Sequence, residues 1–408
     1  MTKKRTINVE TGSAMLLVIW ILAVMGVIAI FLYYRGEVEW AANLSLESRL
    51  KAEKEVEKIF YERWKLVKND KNDSDDALED WFGKGYLQYE QDDYQINIIV
   101  EDESSKLNLN FAEEADLQQL VTEQATTDQV SLDPVFDWLD DDLERRESRP
   151  EGAETEYYQA LKTPYKARDG FFSTLVELKE LKNGQKIYDL LAPIVTVYNK
   201  PNINTLSSEK FVAILKAAGY KDLDLINLKA RFEIEQLKKT RYEKLNDLSC
   251  LGVLFGELDR LGRLIQFRGS CNPNFASSKM IELNLRQAGY ASSNELAQRI
   301  IQKREIQPFG RLEELENFLG ERADRTKKLL DYFTLQTTLI RYRIWRLKEM
   351  SSFYLETVQE RQADPDHQDE WLFKTISWRT ALNEDVPKVP DQVIAPVVSA
   401  NLTTDEPR

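Results

Sequence analysis

The side chains able to do chemistry are few and widely spaced. His367 is the single histidine among 408 residues, so any imidazole base or metal ligand would rest on one position. Cys250 and Cys271 are the only cysteines, too few and too far apart for a thiolate zinc site. Beyond a membrane an even pair usually oxidises, and closing a loop of this size stabilises the fold by about 3 kcal/mol in the chain-entropy account. A Cys250–Cys271 disulfide is therefore expected, against the alternative of two buried thiols. The densest acidic cluster is Asp137, Asp140, Asp141, Asp142 and Glu144. Asp137 and Asp141 are four apart and would share a helix face, yet no nucleophile or glycine-rich phosphate cradle accompanies them. A solvated helix face is the simpler account. Hard oxygen ligands without His or Cys suit calcium if they hold any metal, but no ligand set follows from the sequence. The acidic stretch "DPDHQDE" from Asp364 has a Pro and lacks the Gly that a helix-loop-helix calcium loop needs. No catalytic constellation emerges and no cofactor is required.

Composition supports a structural reading. With 42% apolar and 30% charged residues, 16 Gly and 12 Pro, collagen-like and wholly disordered chains are excluded. The 55 basic residues against 69 acidic ones give a net charge of −14, which opposes binding to nucleic acid.

The elements that must position these residues begin at a membrane. Lys3, Lys4, Arg5 and Glu10 are followed by 22 uncharged residues over 13–34. As a helix this stretch is about 33 Å long, against a hydrocarbon core of about 30 Å. The basic residues before it place the N-terminus in the cytoplasm and the bulk of the chain on the far side. Cleavage after the apolar run is poorly supported, because bulky Phe31, Leu32, Tyr33 and Tyr34 and then Arg35 follow it. Small residues stand instead at its entry, Gly12 and Ser13, where a cut would leave the apolar helix on the mature protein.

Past Arg35 the apolar residues Ala52, Val56, Ile59, Phe60, Trp64 and Val67 keep helical spacing. They predict one long helix continuing the membrane segment, with Gly36 as a candidate bend and the polar run 69–76 as its end. Alternation at Tyr94, Ile96 and Ile98 predicts a strand. The middle of the chain contains an internal repeat: "PNINTLSSEKFVAILKAAGY" from Pro201 matches "CNPNFASSKMIELNLRQAGY" from Cys271 at eight of twenty positions. Each copy reads as an Asx turn, a Ser cap, a helix and a Gly stop. "FSTLVEL" from Phe172 and "FGRLEEL" from Phe309 form a second related pair. Such helical pairs are similar to helix-hairpin-helix modules, but one Gly per turn and the acidic charge favour a packing scaffold over DNA binding. After Asp331, "TLQTTLIRYRIWRL", "SSFYLETVQER" and "FKTISWRT" predict three antiparallel strands.

Several stretches resemble, in order, the general secretion pathway protein K family, the large minor pseudopilins of type II secretion and relatives of type IV pilins. They are "KKRTINVETG" with "SAMLLVIWILAVMGVIAI", "VEDESSKLNLN" from Val100, "FDWLDDDLERRESRPEGAETEYY" from Phe136, "TPYKARDGFFSTLVELKEL" from Thr163 and "LLAPIVTVY" from Leu190. The departures are Ser105, where a Gly is common, and a diverged C-terminal third. The resemblance implies an α+β fold in which a long N-terminal helix packs on an antiparallel sheet and a large α-helical domain is inserted into the sheet. The corresponding expectation is a leader at 1–12, a transmembrane helix at 13–34 and its continuation at 35–70. Strands follow at 71–110, the inserted domain at 111–331, C-terminal strands at 332–388 and a loose tail at 389–408.

The resemblance further implies a non-enzymatic subunit of a periplasmic pseudopilus, anchored once in the bacterial inner membrane. Prepilin peptidase would cut between Gly12 and Ser13, with methylation of the new N-terminus. Expected partners are the minor pseudopilins I and J and the major pseudopilin filament; calcium is a further expectation, since some members bind it. Most pilin-like chains place a Glu at the fifth mature position, which here is Leu17. A subunit lacking it is expected to start the filament and cap its tip. A single-pass periplasmic sensor or binding protein is the alternative.

Overall fold

The computed structural model describes residues 10–91, 93–122, 130–140, 149–253, 255–320, 328–348, 351–363 and 371–390. Helix α1 (Glu10–Asn69) is a single 60-residue helix that passes Gly36 without interruption. Its buried residues Ala52, Val56, Ile59, Phe60 and Val67 recur at helical spacing, so one stripe of its C-terminal half can lie on a sheet.

That sheet has the order β1-β2-β5-β6-β7, every neighbouring pair antiparallel. Its strands are β1 (Tyr86–Gln91), β2 (Tyr94–Asp102), β5 (Leu339–Leu347), β6 (Phe353–Ala363) and β7 (Trp371–Leu382). Two short strands between them, β3 (Leu107–Asn108) and β4 (Val195–Thr196), pair in parallel elsewhere. Period-two alternation divides the sheet's faces. Ile96, Ile98 and Val100 of β2, Ile340, Tyr342 and Ile344 of β5, and Phe353 and Leu355 of β6 pack with the α1 stripe into one core. On β7 a register shift opposite Val358 and Gln359 leaves one residue extra. This bulge changes the alternation, so Trp378 meets Phe60 and Phe373, five residues away, meets Trp64 on the same face. The opposite face is capped by the chain after β7, where Val386 and Val389 pack near Tyr86, Ile99, Trp345 and Tyr354.

Between β2 and β5 the chain forms a helical unit. Its helices are α2 (Glu114–Thr122), α3 (Asp133–Leu139), α4 (Thr155–Gln159), α5 (Gly184–Leu191), α6 (Ser208–Ala217), α7 (Asp222–Leu237), α8 (Phe255–Gly262), α9 (Ser278–Ala288), α10 (Ser293–Ile306) and α11 (Leu312–Leu319). The two repeats read from the sequence are three in the structure. Asn108, Asn202 and Asn272 each accept the backbone N–H two residues on, at 2.9–3.0 Å. The second Asn of each pair then clamps a distant aromatic residue through both main-chain groups. Asn110 holds Phe172, Asn204 holds Tyr242 and Asn274 holds Phe309, with bonds of 2.8–3.0 Å. Five residues after each aromatic an acid, Glu177, Asp247 or Glu314, accepts backbone N–H groups of the next turn. Each repeat closes on itself by a parallel bridge: Leu107–Asn108 with Val195–Thr196, Asn202 with Gln266, and Cys271 with Phe333.

Ser207 and Ser277 cap α6 and α9 as read from the sequence, and Gly219 and Gly289 stop them at φ of 79° and 95°, a conformation costly for other residues. The first and third repeats share one core. The second has its own, centred on the stacked rings of Phe211 and Phe232, 4.2 Å apart.

Candidate functional site

The most unusual surface is the first half of α1. Its large apolar side chains from Met15 to Tyr34 are 49–71% exposed, and the helix is long and apolar enough to cross a membrane. Apolar area of this extent in contact with water is unfavourable, so the segment needs a non-aqueous surrounding or a partner. Exposure continues at Val38, Trp40, Leu44, Leu46 and Leu50 before the stripe turns onto the sheet at Ala52. Leu17, the position where pilin-like chains commonly have Glu, is 63% exposed within the apolar stretch. Gly12 and Ser13 lie in the first turns of the same helix; the leader residues 1–9 lie outside the described residues.

A buried ionic cluster joins β2, β5 and β6 and the turn after β2 on the face of the sheet away from α1. Arg341 bridges Glu103 and Glu356 at 2.5 and 3.0 Å, Arg343 binds Glu101 at 2.9 Å, and Lys106 reaches Glu103 at 3.0 Å. Burial opposes ionisation of Glu101, but Lys106, Arg343 and Arg341 outweigh it and hold the carboxyl down at about 2. Its neighbour Asp102 has only hydroxyl and amide partners, and burial pushes it up to about 6. Those hydroxyls belong to Ser104 and Ser105. Ser105 also accepts the N–H of Asn272 at 2.7 Å, so the departure from the family's Gly gives the third repeat a direct link to β2.

The solvated helix face expected for the acidic cluster is corrected at Asp137, which is buried. Helix α3 ends at Leu139 with Asp140 as its C-cap, and Asp137 is fully buried on it. Asp137 and Asp140 instead converge on Arg149, at 3.2 and 2.9 Å. A guanidinium thus lies between the two carboxylates. Burial raises the Asp137 carboxyl despite that partner. Asp141, Asp142 and Glu144 lie outside the described residues, as do the 364–370 stretch and His367.

The expected disulfide is also corrected. Both cysteines are free, Cys250 exposed and Cys271 buried. Cys250 sits on the 3-10 turn Leu245–Leu251 of the second repeat, while Cys271 opens the third and packs in the other core. Helix α8 and the return to Gln266 fill the sequence between them, so proximity in the chain does not become proximity of thiols. Burial pushes both thiols above their usual range, Cys271 further, which disfavours reactive thiolate at either.

The site that pattern reading missed is the loop after α1, where Asp70, Asp75 and Glu79 approach one another beside Arg361 of β6. The 69–76 run was read only as a helix stop. Its acid-rich spacing was a signal, but Arg361, 286 residues after Asp75, was not available to a local pattern.

With this geometry in place, residues 93–200 match the model of a protein family described as "Type II secretion system (T2SS), protein K". The matched segment runs from β2 through the first repeat to just past β4, and the family resemblance is borne out there. No curated protein matches the chain. Among solved structures, the crystal structure of the GspK-GspI-GspJ complex from the enterotoxigenic Escherichia coli Type 2 Secretion System contains a chain 15% identical to this one. The alignment covers 85% of this chain and 99% of that one, with a TM-score of 0.39.

Proposed function

We propose that this chain, which carries a type II secretion protein K domain over residues 93–200, is a minor pseudopilin that begins and caps the periplasmic pseudopilus. The observation that carries the reading is the joining of that domain to a helix whose membrane-length half is apolar and exposed all round. A secreted binding protein has no use for such a helix after export, whereas a filament subunit needs it twice, first in the bilayer and then against other subunits. On this reading prepilin peptidase removes residues 1–12, Ser13 becomes the methylated N-terminus, and the mature chain is held once in the inner membrane with its bulk in the periplasm. It acts as a structural subunit with no chemistry of its own.

The tip position follows from two features. A carboxylate in a membrane helix costs about 2.5–3.5 kcal/mol on insertion scales unless it is paired, so a subunit with none above it has no reason to keep one, and Leu17 fits that role. The three-repeat unit is too bulky to be stacked beneath another subunit. Minor pseudopilins I and J are the proposed direct partners, with the major pseudopilin filament below them.

Intact mass of the protein extracted from membranes tests the reading. Loss of Met1 to Gly12 with retention of the apolar helix is expected. An uncut N-terminus would overturn it and leave an anchored sensor or binding protein. Labelled protein should be found at filament ends, and deletion should reduce secretion; labelling along the shaft would refute the tip assignment.

A further inference from the structure

The chain that leaves β7 crosses the sheet towards its opposite edge. The Asn383 N–H donates to the Ser352 carbonyl at 3.0 Å, beside the start of β6, and the Trp345 indole on β5 donates to the Pro387 carbonyl at 2.8 Å. Val386 and Val389 then join Tyr86 of β1, Ile99 of β2, Trp345 and Tyr354 in one apolar cluster. From β5 to β1 is two strand spacings, about 10 Å, which about three extended residues span. The chain therefore reaches Tyr86 and Ile99 by Pro390, where the described residues of this segment end.

At that point the sheet narrows. Strand β1 starts its pairing at Tyr86, opposite Ile99, but β2 runs on to Asp102 paired with β5 alone, and among the described residues no other strand takes the place of β1 there. The Glu103 N–H donates to the Leu339 carbonyl at 2.9 Å. Because antiparallel ladders alternate, the main-chain groups of Val100 and Asp102 then point away from β5. Beside them is a cavity of about 380 Å³ whose walls include Tyr86 and Ile99 themselves. Phe82 and Phe275, with rings 4.6 Å apart, line it together with Ile194 and Met280. One wall thus belongs to the sheet and the other to the helical unit. A one-sided ladder beside an apolar cavity is the arrangement that strand addition uses, main-chain bonds giving affinity and the cavity giving selectivity.

We propose that residues 393–398 of this same chain occupy the cavity and add a short strand to β2 along Val100, Glu101 and Asp102. The segment begins three residues beyond Pro390, and four of its six residues, Val393, Ile394, Val397 and Val398, are β-branched and apolar, which suits a pleated, half-buried surface. Pro396 lacks an N–H, and an added strand lies at the sheet edge, where Pro is tolerated. Reach selects the occupant: a segment tethered this close to the cavity is present at a high effective concentration that a free peptide must overcome. The added strand touches β2 on one side and the third repeat at Phe275 and Met280 on the other, so it straps the helical unit to the sheet.

The test is amide hydrogen exchange of the full chain in detergent, read by mass spectrometry on peptides carrying residues 100–102 and 393–398. Both should be protected in the parent, equally at high and low protein concentration. Ile394→Asp combined with Val397→Asp puts charge into the apolar cavity and should speed exchange of both peptides by about tenfold or more. Ile96 and Ile98, paired with β1, should exchange as in the parent. The milder pair Ile394→Ser and Val397→Ser should act in the same direction and guards against a general loss of folding in the first variant. The proposal fails if residues 393–398 exchange in the parent like an unstructured peptide, or if neither variant changes the exchange of residues 100–102. It also fails if protection is lost on dilution, which would give the cavity to the segment of a second copy.

Discussion

The two halves of α1 share one helix and obey different rules. From Met15 to Tyr34 the apolar side chains point in every direction and none is buried, whereas from Ala52 to Val67 they form a stripe against β2, β5 and β6. The backbone hydrogen bonds are the same in both. What differs is the surrounding each half is built for: a uniform apolar medium rewards apolar residues all round, while a sheet on one side and water on the other reward a single stripe. Ion pairs repeat the contrast. Arg35 and Glu39 pair at 2.8 Å with both side chains more than 60% exposed, but Glu55 binds Arg346, whose side chain is 3% exposed.

The largest effect is expected from a buried charge. Val56→Asp places an unpaired carboxylate in the core and should cost more than about 4 kcal/mol, leaving the sheet-bearing body unfolded by circular dichroism. Val24→Asp should leave the melting of the detergent-solubilised body unchanged and instead cost about 2.5–3.5 kcal/mol in membrane insertion. If Val24→Asp also lowered the melting temperature, the two halves would be coupled more tightly than their contacts imply. Phe60→Ala should then cost about 3–5 kcal/mol in denaturant unfolding, since Phe60 meets Tyr342 and Trp378; Trp20→Ala should have no measurable effect in the same assay.

Smaller differences sharpen the contrast. Glu55→Gln removes the anionic partner of a buried guanidinium that also bonds to Ser351 and stacks on Tyr94, and should cost about 1–3 kcal/mol. Glu39→Gln, at the exposed pair, should cost about 0.5 kcal/mol or less. Leu17→Glu should be the mildest: folding of the body unchanged and secretion little altered. Strong enhancement of its incorporation into filaments would contradict the tip position proposed above.

Legibility varied with the range of the interactions. The apolar stripe of α1 and the strand at Tyr94 were visible because the pattern period is set by the local backbone. The repeats were visible where spacing was kept. Asn204 and Asn274 reach their aromatic partners 38 and 35 residues later, but Asn110 reaches Phe172 over 62, so a comparison at fixed offset passed over the first copy. The shared "NFA" at Asn110 and Asn274, with an aromatic followed five residues later by an acid, was the remaining signal. The disulfide expectation failed for the converse reason, because short separation between Cys250 and Cys271 does not bring them together when each belongs to a different core.

The sequence by itself determined the membrane-length helix, the strand alternation, two of the three Asn turns and the likeness of residues 93–200 to protein K, because each depends on residue order over a few turns or on a continuous stretch. Only the tertiary structure decided which charges meet. Asp75 with Arg361, Glu103 with Arg341 and Ser105 with Asn272 are joined across 286, 238 and 167 residues. Their energies depend on burial and on orientation within a few tenths of an ångström, and neither quantity exists until the sheet has closed on α1 and the third repeat has docked against it.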